Sequence, residues 1–431
     1  MCNNNNNIKA IIIGNGISGL VIANCFIKAG IDFIILEKEE EKKEYHGSDF
    51  FLHPNGIRLL DQLGIWEDIK HLGAYTKYID YLNGENKKWT TLDWSEIEER
   101  YGYPVFSIIR QKLLMKLWEK IDEDKILLGK KLNDVEIKKD NVKVFCDDGS
   151  FYEGDFLIGA DGARSKTRDY IYKLSNLKKK ELDNKFEAIF GVSKISKNAD
   201  KEKLKTRMQW HIQKNLSYFL HIQPNDDVTW FLGFKNDDNN NVELNKYKKE
   251  DIEDMKKKYS DLPTTHGCNF GEVLNNSKIA VKVNLEECLF EKWYYDRIVL
   301  IGDSAHKLLP FSGQGANQAI EDCAVLTNIL YEYLIKNNNK NYNEMFEKYE
   351  NIRKPRIQEI MDESHFTSDL INIPDYISKT KSWLFFKLAP NILYKKVMDK
   401  RYRFRPILKF IKFDKINNSS NFIEPEENDY Y

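Results

Sequence analysis

The sequence predicts an α/β protein in which a parallel sheet forms one domain and a smaller, largely antiparallel sheet is inserted into it. Residues 8–37 follow a strand–turn–helix–strand pattern, which is typical of the start of a parallel α/β sheet. From 186 to 283, short strand-like runs alternate with connectors rich in Asn, Asp and Lys, a pattern that indicates an antiparallel sheet. The apolar run 298–301 then returns the chain to the parallel sheet.

The glycine-rich turn at 14–19 (GNGISG) is the first element that carries chemistry. It lies between the apolar run 8–13 and a helical pattern, and a second apolar run ends on an acidic residue at 37. This is the fingerprint of a Rossmann unit: its glycines permit a tight turn, admit a pyrophosphate and allow close helix packing, and its acidic residue accepts hydrogen bonds from a ribose. An ordinary turn is the alternative, and the motif alone does not distinguish FAD from NAD. The predicted cofactor-binding residues of this unit are Gly14, Gly16, Ser18, Gly19 and Glu37.

The spacing of apolar residues predicts the remaining elements in order. The predicted helices are 54–64, 110–121 and 316–334. The predicted strands are 78–82, 89–92, 135–137, 142–145 and 156–160. The predicted division is a nucleotide-binding domain at 8–185 and 284–340, a predominantly β substrate domain at 186–283, and a helical C-terminal region at 341–431 with a disordered acidic end.

Length and composition limit the possible functions. A chain of 431 residues is long enough for two domains, and its 66 Lys and Arg against 67 Asp and Glu give no general attraction to nucleic acid. No apolar run is long enough to span a bilayer, the first residues lack the features of a signal peptide, and the six cysteines show no paired spacing. The sequence therefore predicts a cytoplasmic protein with no nucleic-acid partner.

Two later segments join the glycine turn in a recognisable order. They are 159–165 (GADGARS) and 302–317 (GDSAHKLLPFSGQGAN). Together the three resemble the class A flavoprotein monooxygenases, the para-hydroxybenzoate hydroxylase-like family, over residues 8 to about 334. Within that family the chain looks closest to the FAD-dependent monooxygenases and epoxidases of fungal meroterpenoid and indole-diterpene pathways. The local matches are 54–56 (PNG), 60–64 (LDQLG), 110–114 (RQKLL) and 302–307 (GDSAHK).

The resemblance implies a cofactor, a chemistry and a set of contacts. It implies FAD, with NADPH or NADH as reductant and dioxygen (O2) as co-substrate, and a flavin hydroperoxide that hydroxylates an aromatic or epoxidises a prenyl or other alkene-bearing small molecule. It further implies a role in secondary metabolism. The residues that it assigns to FAD are Phe51, Arg110, Asp161, Asp303, Gly313, Gly315, Ala316 and Asn317. The alternative role for Asp161 is to cap a loop, and the alternative role for Arg110 is to form a surface salt bridge.

A dry, aromatic pocket is what this chemistry requires, because the reactive intermediate survives only where bulk water is excluded. Tyr218 is predicted to make a polar, catalytic contact with the substrate. The predicted pocket residues are Trp210, Trp230, Pro310 and Phe311. Ordinary core or sheet-face packing is the alternative for the aromatic residues.

Other functions and locations remain open at this stage. Flavin-dependent halogenases share the fold, but their Trp-x-Trp-x-Ile-Pro signature is missing, and an FAD-dependent isoprenoid reductase or a non-catalytic FAD-binding protein are further alternatives. The segment 383–413 mixes apolar and basic residues. Such a segment can contact an anionic membrane surface peripherally, or it can pack across the nucleotide domain, which is the favoured interpretation.

Overall fold

The computed structural model describes residues 9–42, 49–197, 199–235, 249–264, 269–371, 376–388 and 391–413. The strands are β1 Lys9–Ile13, β2 Asp32–Leu36, β3 Asp49–Leu52, β4 Ala74–Tyr75, β5 Tyr78–Asn83, β6 Lys88–Asp93, β7 Phe106–Ile109, β8 Ile126–Leu127, β9 Leu132–Ile137, β10 Val142–Cys146, β11 Phe151–Gly154, β12 Phe156–Gly159, β13 Asp183–Lys194, β14 Arg207–Gln213, β15 Leu216–Ile222, β16 Asp227–Lys235, β17 Ser277–Leu289, β18 Tyr294–Tyr295, β19 Ile298–Leu300 and β20 His306–Lys307. The α-helices are α1 Ile17–Ala29, α2 Pro54–Gln62, α3 Trp66–Ile69, α4 Ile97–Tyr101, α5 Arg110–Trp118, α6 Lys166–Leu174, α7 Lys201–Leu204, α8 Lys249–Tyr259, α9 Phe270–Asn275, α10 Gly315–Leu330, α11 Tyr342–Ile371, α12 Tyr376–Leu388 and α13 Asn391–Arg403.

A six-stranded sheet in the order β18-β19-β12-β1-β2-β8 forms the centre of the nucleotide domain. Its strands run parallel except for the edge strand β18, and β1 is flanked by β12 and β2 as the Rossmann pattern requires. β1 is buried almost throughout because α1 and α10 pack on the sheet, which explains its continuous apolar run. The predicted Rossmann unit is confirmed.

An eight-stranded sheet in the order β20-β17-β13-β16-β15-β14-β5-β6 forms the second domain. Its neighbours are antiparallel except β14 and β5, which are parallel. The predicted antiparallel sheet is therefore present, but its extent differs from the prediction, since β5 and β6 come from the segment assigned to the nucleotide domain. β5 joins because Ile79 and Tyr81 pack in the same apolar cluster as Met208 and Trp210 of β14. The predicted boundaries at 185/186 and 283/284 fall within β13 and β17.

The smaller elements follow the predicted pattern closely. β9, β10 and β11 form the predicted hairpin with one further strand, and β5 and β6 pair around the predicted turn. The helix predicted at 54–64 is α2, and Gly64 follows it with a positive φ of 76°. A π-helix, Tyr331–Lys336, extends α10 to the predicted length.

The chain after α13 packs across the nucleotide domain, as the favoured interpretation of this segment states. Phe404 and Leu408 are buried in its core, and the Gln62 side chain donates to and accepts from the backbone of Leu408. The acidic end predicted to be disordered lies outside the described residues. In the part of the chain that the structure describes, no helix combines the length and the apolar character needed to cross a membrane.

Candidate functional site

The three motif segments meet at the carboxyl ends of the parallel strands. A Cβ on Gly14, whose φ is 98°, would lie 2.7 Å from the carbonyl oxygen of Ala160, and a Cβ on Gly302 would overlap the Ser18 hydroxyl. A Cβ on Gly19 would likewise overlap the carbonyl oxygen of Gly14. Close packing against backbone therefore requires glycine at positions 14 and 19, whereas at position 302 the positive φ of 59° favours it.

Gly16 and Gly315 are glycines for a different reason. A Cβ on either residue would meet no protein atom within 4 Å, and both residues line a large cavity of about 790 Å³. Neither has a positive φ, so the backbone conformation does not demand glycine at these positions. A side chain there would project into cavity space, which is the geometry expected where a ligand approaches the backbone.

The cavity also receives the free N–H groups of two helix starts. α1 begins at Ile17 beside the glycine turn, and α10 begins at Gly315, which lines the same cavity. Neither helix has a capping side chain at its N-terminus. Because helix N-termini carry unpaired N–H groups and a partial positive charge, both ends suit an anionic or electron-rich ligand group.

Glu37 lies at the end of β2 and is buried. Its two carboxylate oxygens accept hydrogen bonds from the backbone N–H groups of Asn15, at 3.0 Å, and Glu39, at 3.1 Å. Each carboxylate oxygen has two acceptor sites, so capacity for a ribose hydroxyl remains. The residue thus holds the glycine turn in place, and its predicted contact with a ribose stays a prediction.

Asp303 carries the charge of the third segment inside the cavity. Lys307 Nζ lies 2.5 Å from its carboxylate, and Arg110 lines the same region. Burial opposes ionisation of Asp303, but the charge and the hydrogen bond of Lys307, with the charge of Arg110, outweigh it and lower the pKa of the carboxyl below its ordinary value. Asp303 is therefore an ionised acceptor, and its predicted contact with the ribityl chain stays a prediction.

A buried ionic network holds this segment from behind. One oxygen of Asp322 accepts hydrogen bonds from the Gly302 N–H at 2.8 Å and from His306 Nε2 at 2.7 Å, and the other accepts from Arg353 Nε at 2.7 Å. Arg353 also donates to Glu321 at 2.6 Å, and these side chains are at most 1% exposed. The network fixes α10 and α11 to the turn that carries Asp303.

The loop before α10 is tied to the end of β3. Gly313 has a φ of 65°, and the Asn317 side chain donates to the carbonyl oxygens of Gly313 and Phe51 at 2.9 and 2.8 Å while accepting from the N–H of His53 at 2.9 Å. Asn317 therefore positions the loop and does not line the cavity. Phe51 lines it, with its ring 6.0 Å from that of Phe219.

Asp161 has the local role that the sequence left as its alternative. Its carboxylate accepts hydrogen bonds from the Ser165 hydroxyl at 2.6 Å and from the Thr167 N–H at 3.1 Å, at the start of α6. Its neighbours Ala160 and Gly162 line the cavity, but Asp161 does not. Asp161 therefore has a structural role at the helix start, and its predicted contact with FAD stays a prediction.

The predicted cofactor residues divide into two groups. Those that line the cavity are Gly16, Ser18, Phe51, Arg110, Asp303, Gly313, Gly315 and Ala316. Those that support it from behind are Gly14, Gly19, Glu37, Asp161 and Asn317.

The other end of the cavity is an apolar chamber on one face of the eight-stranded sheet. Five aromatic side chains occupy successive registered positions across five strands and line the chamber; we call them the aromatic row. They are Tyr81, Trp210, Phe219, Phe231 and Phe190. The ring centroids of Trp210 and Phe219 lie 5.2 Å apart, and those of Phe219 and Phe231 lie 5.3 Å apart. Pro310 and Phe311 line the chamber as predicted.

Tyr218 and Trp230 do not face this chamber. Side chains alternate along a strand, so the neighbours of Phe219 and Phe231 point to the opposite face of the sheet. There Tyr218 donates to the carbonyl oxygen of Pro263 at 2.7 Å, and both residues are fully buried against Phe270 of α9. The predicted substrate contacts of Tyr218 and Trp230 are therefore wrong for this chamber.

Sequence reasoning missed the part of the chamber that comes from other segments. Phe386 of α12 stacks on Tyr81 with ring centroids 4.4 Å apart, and Met398 and Arg401 of α13 line the wall. His53 also lines it, at the start of α2. No local motif marks these residues, since only the tertiary fold brings them together.

The fold and the cavity define a protein of the Rossmann dinucleotide-binding class, in which the cavity continues from the glycine turn into an apolar chamber on the eight-stranded sheet. The model of the FAD binding domain family matches residues 7–364, and the chain belongs to this family. The FAD-dependent monooxygenase esdpE of Penicillium shearii is 32% identical over 376 residues, covering 82% of this chain and 76% of that protein. The FAD-dependent monooxygenase atmM of Aspergillus flavus is 32% identical over 380 residues, covering 83% and 77%.

Solved structures support the same fold. HpxO of Klebsiella pneumoniae, complexed with FAD and uric acid, superposes with a TM-score of 0.76 over 92% of this chain and 96% of that one, at 20% identity. The predicted para-hydroxybenzoate hydroxylase-like fold and the predicted FAD-dependent monooxygenase are confirmed. The halogenase and isoprenoid reductase alternatives are not favoured.

Proposed function

We propose that this monooxygenase uses NADPH or NADH and dioxygen to insert one oxygen atom into an aromatic or alkene-bearing small molecule. The observation that carries the proposal is the single cavity, which runs without interruption from the glycine turn to the aromatic row. A dinucleotide in the first part would place its reactive ring at the entrance of the second.

Residues of both turns supply the proposed cofactor site. Gly16 and Gly315 leave room for the ligand, Glu37 accepts from the ribose, and the ionised Asp303 accepts from the ribityl hydroxyls. Arg110 contributes a positive charge to the same wall. Bound FAD supplies the redox chemistry, passing electrons from the nicotinamide to dioxygen and one oxygen atom to the substrate.

The aromatic row supports the substrate assignment. Its rings offer a flat apolar surface, and Phe311 and Phe386 add aromatic walls to the chamber lined by Trp210, Phe219 and Phe231. Such walls exclude bulk water from the reacting atoms, which oxygen transfer requires. The uric acid named in the HpxO complex supports a small-molecule substrate of ring type here as well.

The decisive experiment follows the oxygen atom. The purified yellow protein is incubated with NADPH or NADH under ¹⁸O-labelled dioxygen and a panel of phenols, polyketides and prenylated compounds. The proposal expects substrate-stimulated oxidation of the reduced nucleotide and one labelled oxygen atom in the product. Nucleotide oxidation coupled to saturation of an alkene without oxygen uptake, or a requirement for halide, would reject it in favour of the two alternative enzymes.

A peripheral membrane contact of the C-terminal helices remains a separate proposal. On α12, Trp383, Leu384 and Leu388 are 38, 46 and 62% exposed, and Lys381 and Lys387 lie on the same helix. Exposed apolar and basic residues together favour an anionic lipid surface. Sedimentation with phosphatidylserine vesicles tests it: protein that stays in the supernatant at low salt rejects the contact.

A further inference from the structure

Helix α13 and the start of α2 contribute a polar cluster to an otherwise aromatic chamber. The family model ends at residue 364, yet Met398 and Arg401 of α13 line the cavity. The adjacent Tyr402 is fully buried, and its hydroxyl lies 2.7 Å from His53 Nδ1. Burying a polar group in an apolar chamber costs free energy of desolvation unless the group is hydrogen-bonded. The presence of these groups therefore suggests that they bind a polar part of a ligand.

Arg401 is the charged member of this cluster. Its side chain is 8% exposed, it donates to Glu363 of α11, and its Nε is buried without a partner among the described residues. Arg401 and Tyr81, the first ring of the aromatic row, line the same cavity, and the positive charge of Arg401 opposes the effect of burial, which raises the pKa of Tyr81 to about 12. Arg401 thus connects the polar cluster to the surface on which we place the substrate.

His53 is the member nearest to the proposed flavin loop. A Cβ on Gly313 would lie 3.1 Å from His53 Nε2, and the His53 N–H is bound by Asn317 at the start of α10. Burial and the nearby charge of Arg401 hold the pKa of His53 well below its ordinary value, so the imidazole is neutral. A neutral imidazole has one N–H donor and one acceptor nitrogen.

His53 and Tyr402 share one hydrogen bond, between Nδ1 and the hydroxyl. When the hydroxyl donates, the neutral imidazole carries its proton on Nε2, on the side of Gly313. Arg401 has only donors, and its positive charge opposes the effect of burial, which raises the pKa of Tyr402. The guanidinium of Arg401 and the imidazole of His53 both line the cavity, so the cluster presents donors to a ligand there.

We propose that Arg401, Tyr402 and His53 form a substrate subsite that binds a carbonyl or hydroxyl oxygen and so determines specificity. The substrate is then a ring compound with an oxygen acceptor at one end and an apolar body that packs on the aromatic row. This inference rests on the proposed function. It adds to that function a position in the chamber, beside α13, at which the substrate is anchored. Arg401 and His53 contact the substrate, and Tyr402 acts as a positioning residue through His53.

A purely structural role for Arg401 is the competing explanation. Arg405 provides the matched control, because it lies on the same tail, is 2% exposed and donates to the backbone carbonyl of Tyr101 at 3.0 Å, yet does not line the cavity. If Arg401 has only a structural role, substitutions of Arg401 and Arg405 should have similar effects on stability and on ligand binding. A subsite predicts that only Arg401 distinguishes ligands by their oxygen atom.

The test uses acetylnaphthalene and ethylnaphthalene, which have similar size and differ in one carbonyl oxygen. Their dissociation constants are measured by flavin difference spectra on the FAD-loaded protein, with thermal melting of every variant. Wild type should bind acetylnaphthalene at least tenfold more tightly, since a hydrogen bond from a charged donor changes affinity about ten- to hundredfold. Arg401→Gln should remove most of this preference and leave ethylnaphthalene within about twofold, whereas Arg405→Gln should preserve the preference.

Tyr402→Phe gives a second route to the same conclusion, because it keeps the ring and removes only the hydroxyl that orients His53. This substitution should weaken the binding of acetylnaphthalene and leave the binding of ethylnaphthalene unchanged. Equal binding of both compounds by wild type, a preference that survives Arg401→Gln, or failure of acetylnaphthalene to bind would each overturn the subsite. Failure of the proposed function gives a different result, namely a protein without bound flavin or without oxygen transfer in the labelling experiment.

Discussion

Gly16→Ala should separate cofactor binding from folding, because the structure gives this glycine no packing role. Its φ is −70° and a Cβ would meet no protein atom within 4 Å. Alanine is a poorer N-cap than glycine by roughly 0.5–1 kcal/mol, and the smaller entropy of the unfolded chain offsets about 0.4–1 kcal/mol of that. The free energy of unfolding of the flavin-free protein should therefore change by less than about 1 kcal/mol. A methyl group intruding on a filled site costs about 1–3 kcal/mol, which corresponds to about 5- to 150-fold weaker FAD binding.

Gly19→Ala is the matched control, since a Cβ there would overlap the backbone oxygen of Gly14. It should lower the free energy of unfolding of the flavin-free protein by about 1–3 kcal/mol or more, because backbone cannot move aside as a flexible side chain does. Urea unfolding of the stripped proteins measures stability, and quenching of FAD fluorescence measures affinity. The reasoning is refuted if Gly16→Ala binds FAD as wild type does, or if the two variants lose equal stability.

Three further predictions test the fold, the chamber and the effect of pH. Arg353→Met should lower the free energy of unfolding in urea by about 3–5 kcal/mol, because it removes the guanidinium that pairs with both Glu321 and Asp322 and leaves Glu321 with Arg356 at 3.6 Å and Asp322 with the hydrogen bond of His306; a loss below about 1 kcal/mol would show that the ion pairs of Arg353 do not stabilise the fold. Tyr218→Phe should cost about 1 kcal/mol of stability and leave ligand affinity unchanged, whereas Phe219→Ala should weaken binding of aromatic ligands; the opposite order would restore the original assignment of Tyr218. Burial lowers the pKa of His211 to about 4, so below about pH 6.5 the unfolded chain binds a proton that the folded protein does not. The contribution of His211 to the free energy of unfolding should be constant above that pH and fall by about 2 kcal/mol at about pH 5. Urea titrations at a series of pH values measure this decrease, and it should be absent from His211→Phe.

Local patterns predicted the nucleotide half well because its constraints are local. The glycines and Glu37 lie within one strand–turn–helix–strand unit, and the spacing of such a unit fixes their geometry. The orientation of the Asp161 side chain was harder to predict from the sequence, because it depends on where α6 begins. At that point the Ser165 hydroxyl and the Thr167 N–H donate hydrogen bonds to its carboxylate.

The substrate half was harder to predict for a physical reason. Both faces of the eight-stranded sheet are covered by apolar clusters, so neighbouring residues such as Tyr218 and Phe219 are equally apolar in character and the alternation does not reveal which face lines the chamber. His53 and Arg401 are far apart in the chain and meet only through the docking of α13. No spacing rule connects them.

The parallel pairing of β5 with β14 has a consequence for how the protein is made. As the chain leaves the ribosome, β5 and β6 emerge long before Arg207–Gln213, the strand through which they pair with the rest of the eight-stranded sheet in the described residues. The edge of this hairpin stays unpaired until the later strands are synthesised. Such delayed, non-local pairing slows folding and exposes apolar surface in aggregation-prone intermediates. Expression at lower temperature, with slower synthesis and weaker apolar association, should accordingly raise the yield of protein competent to take up flavin.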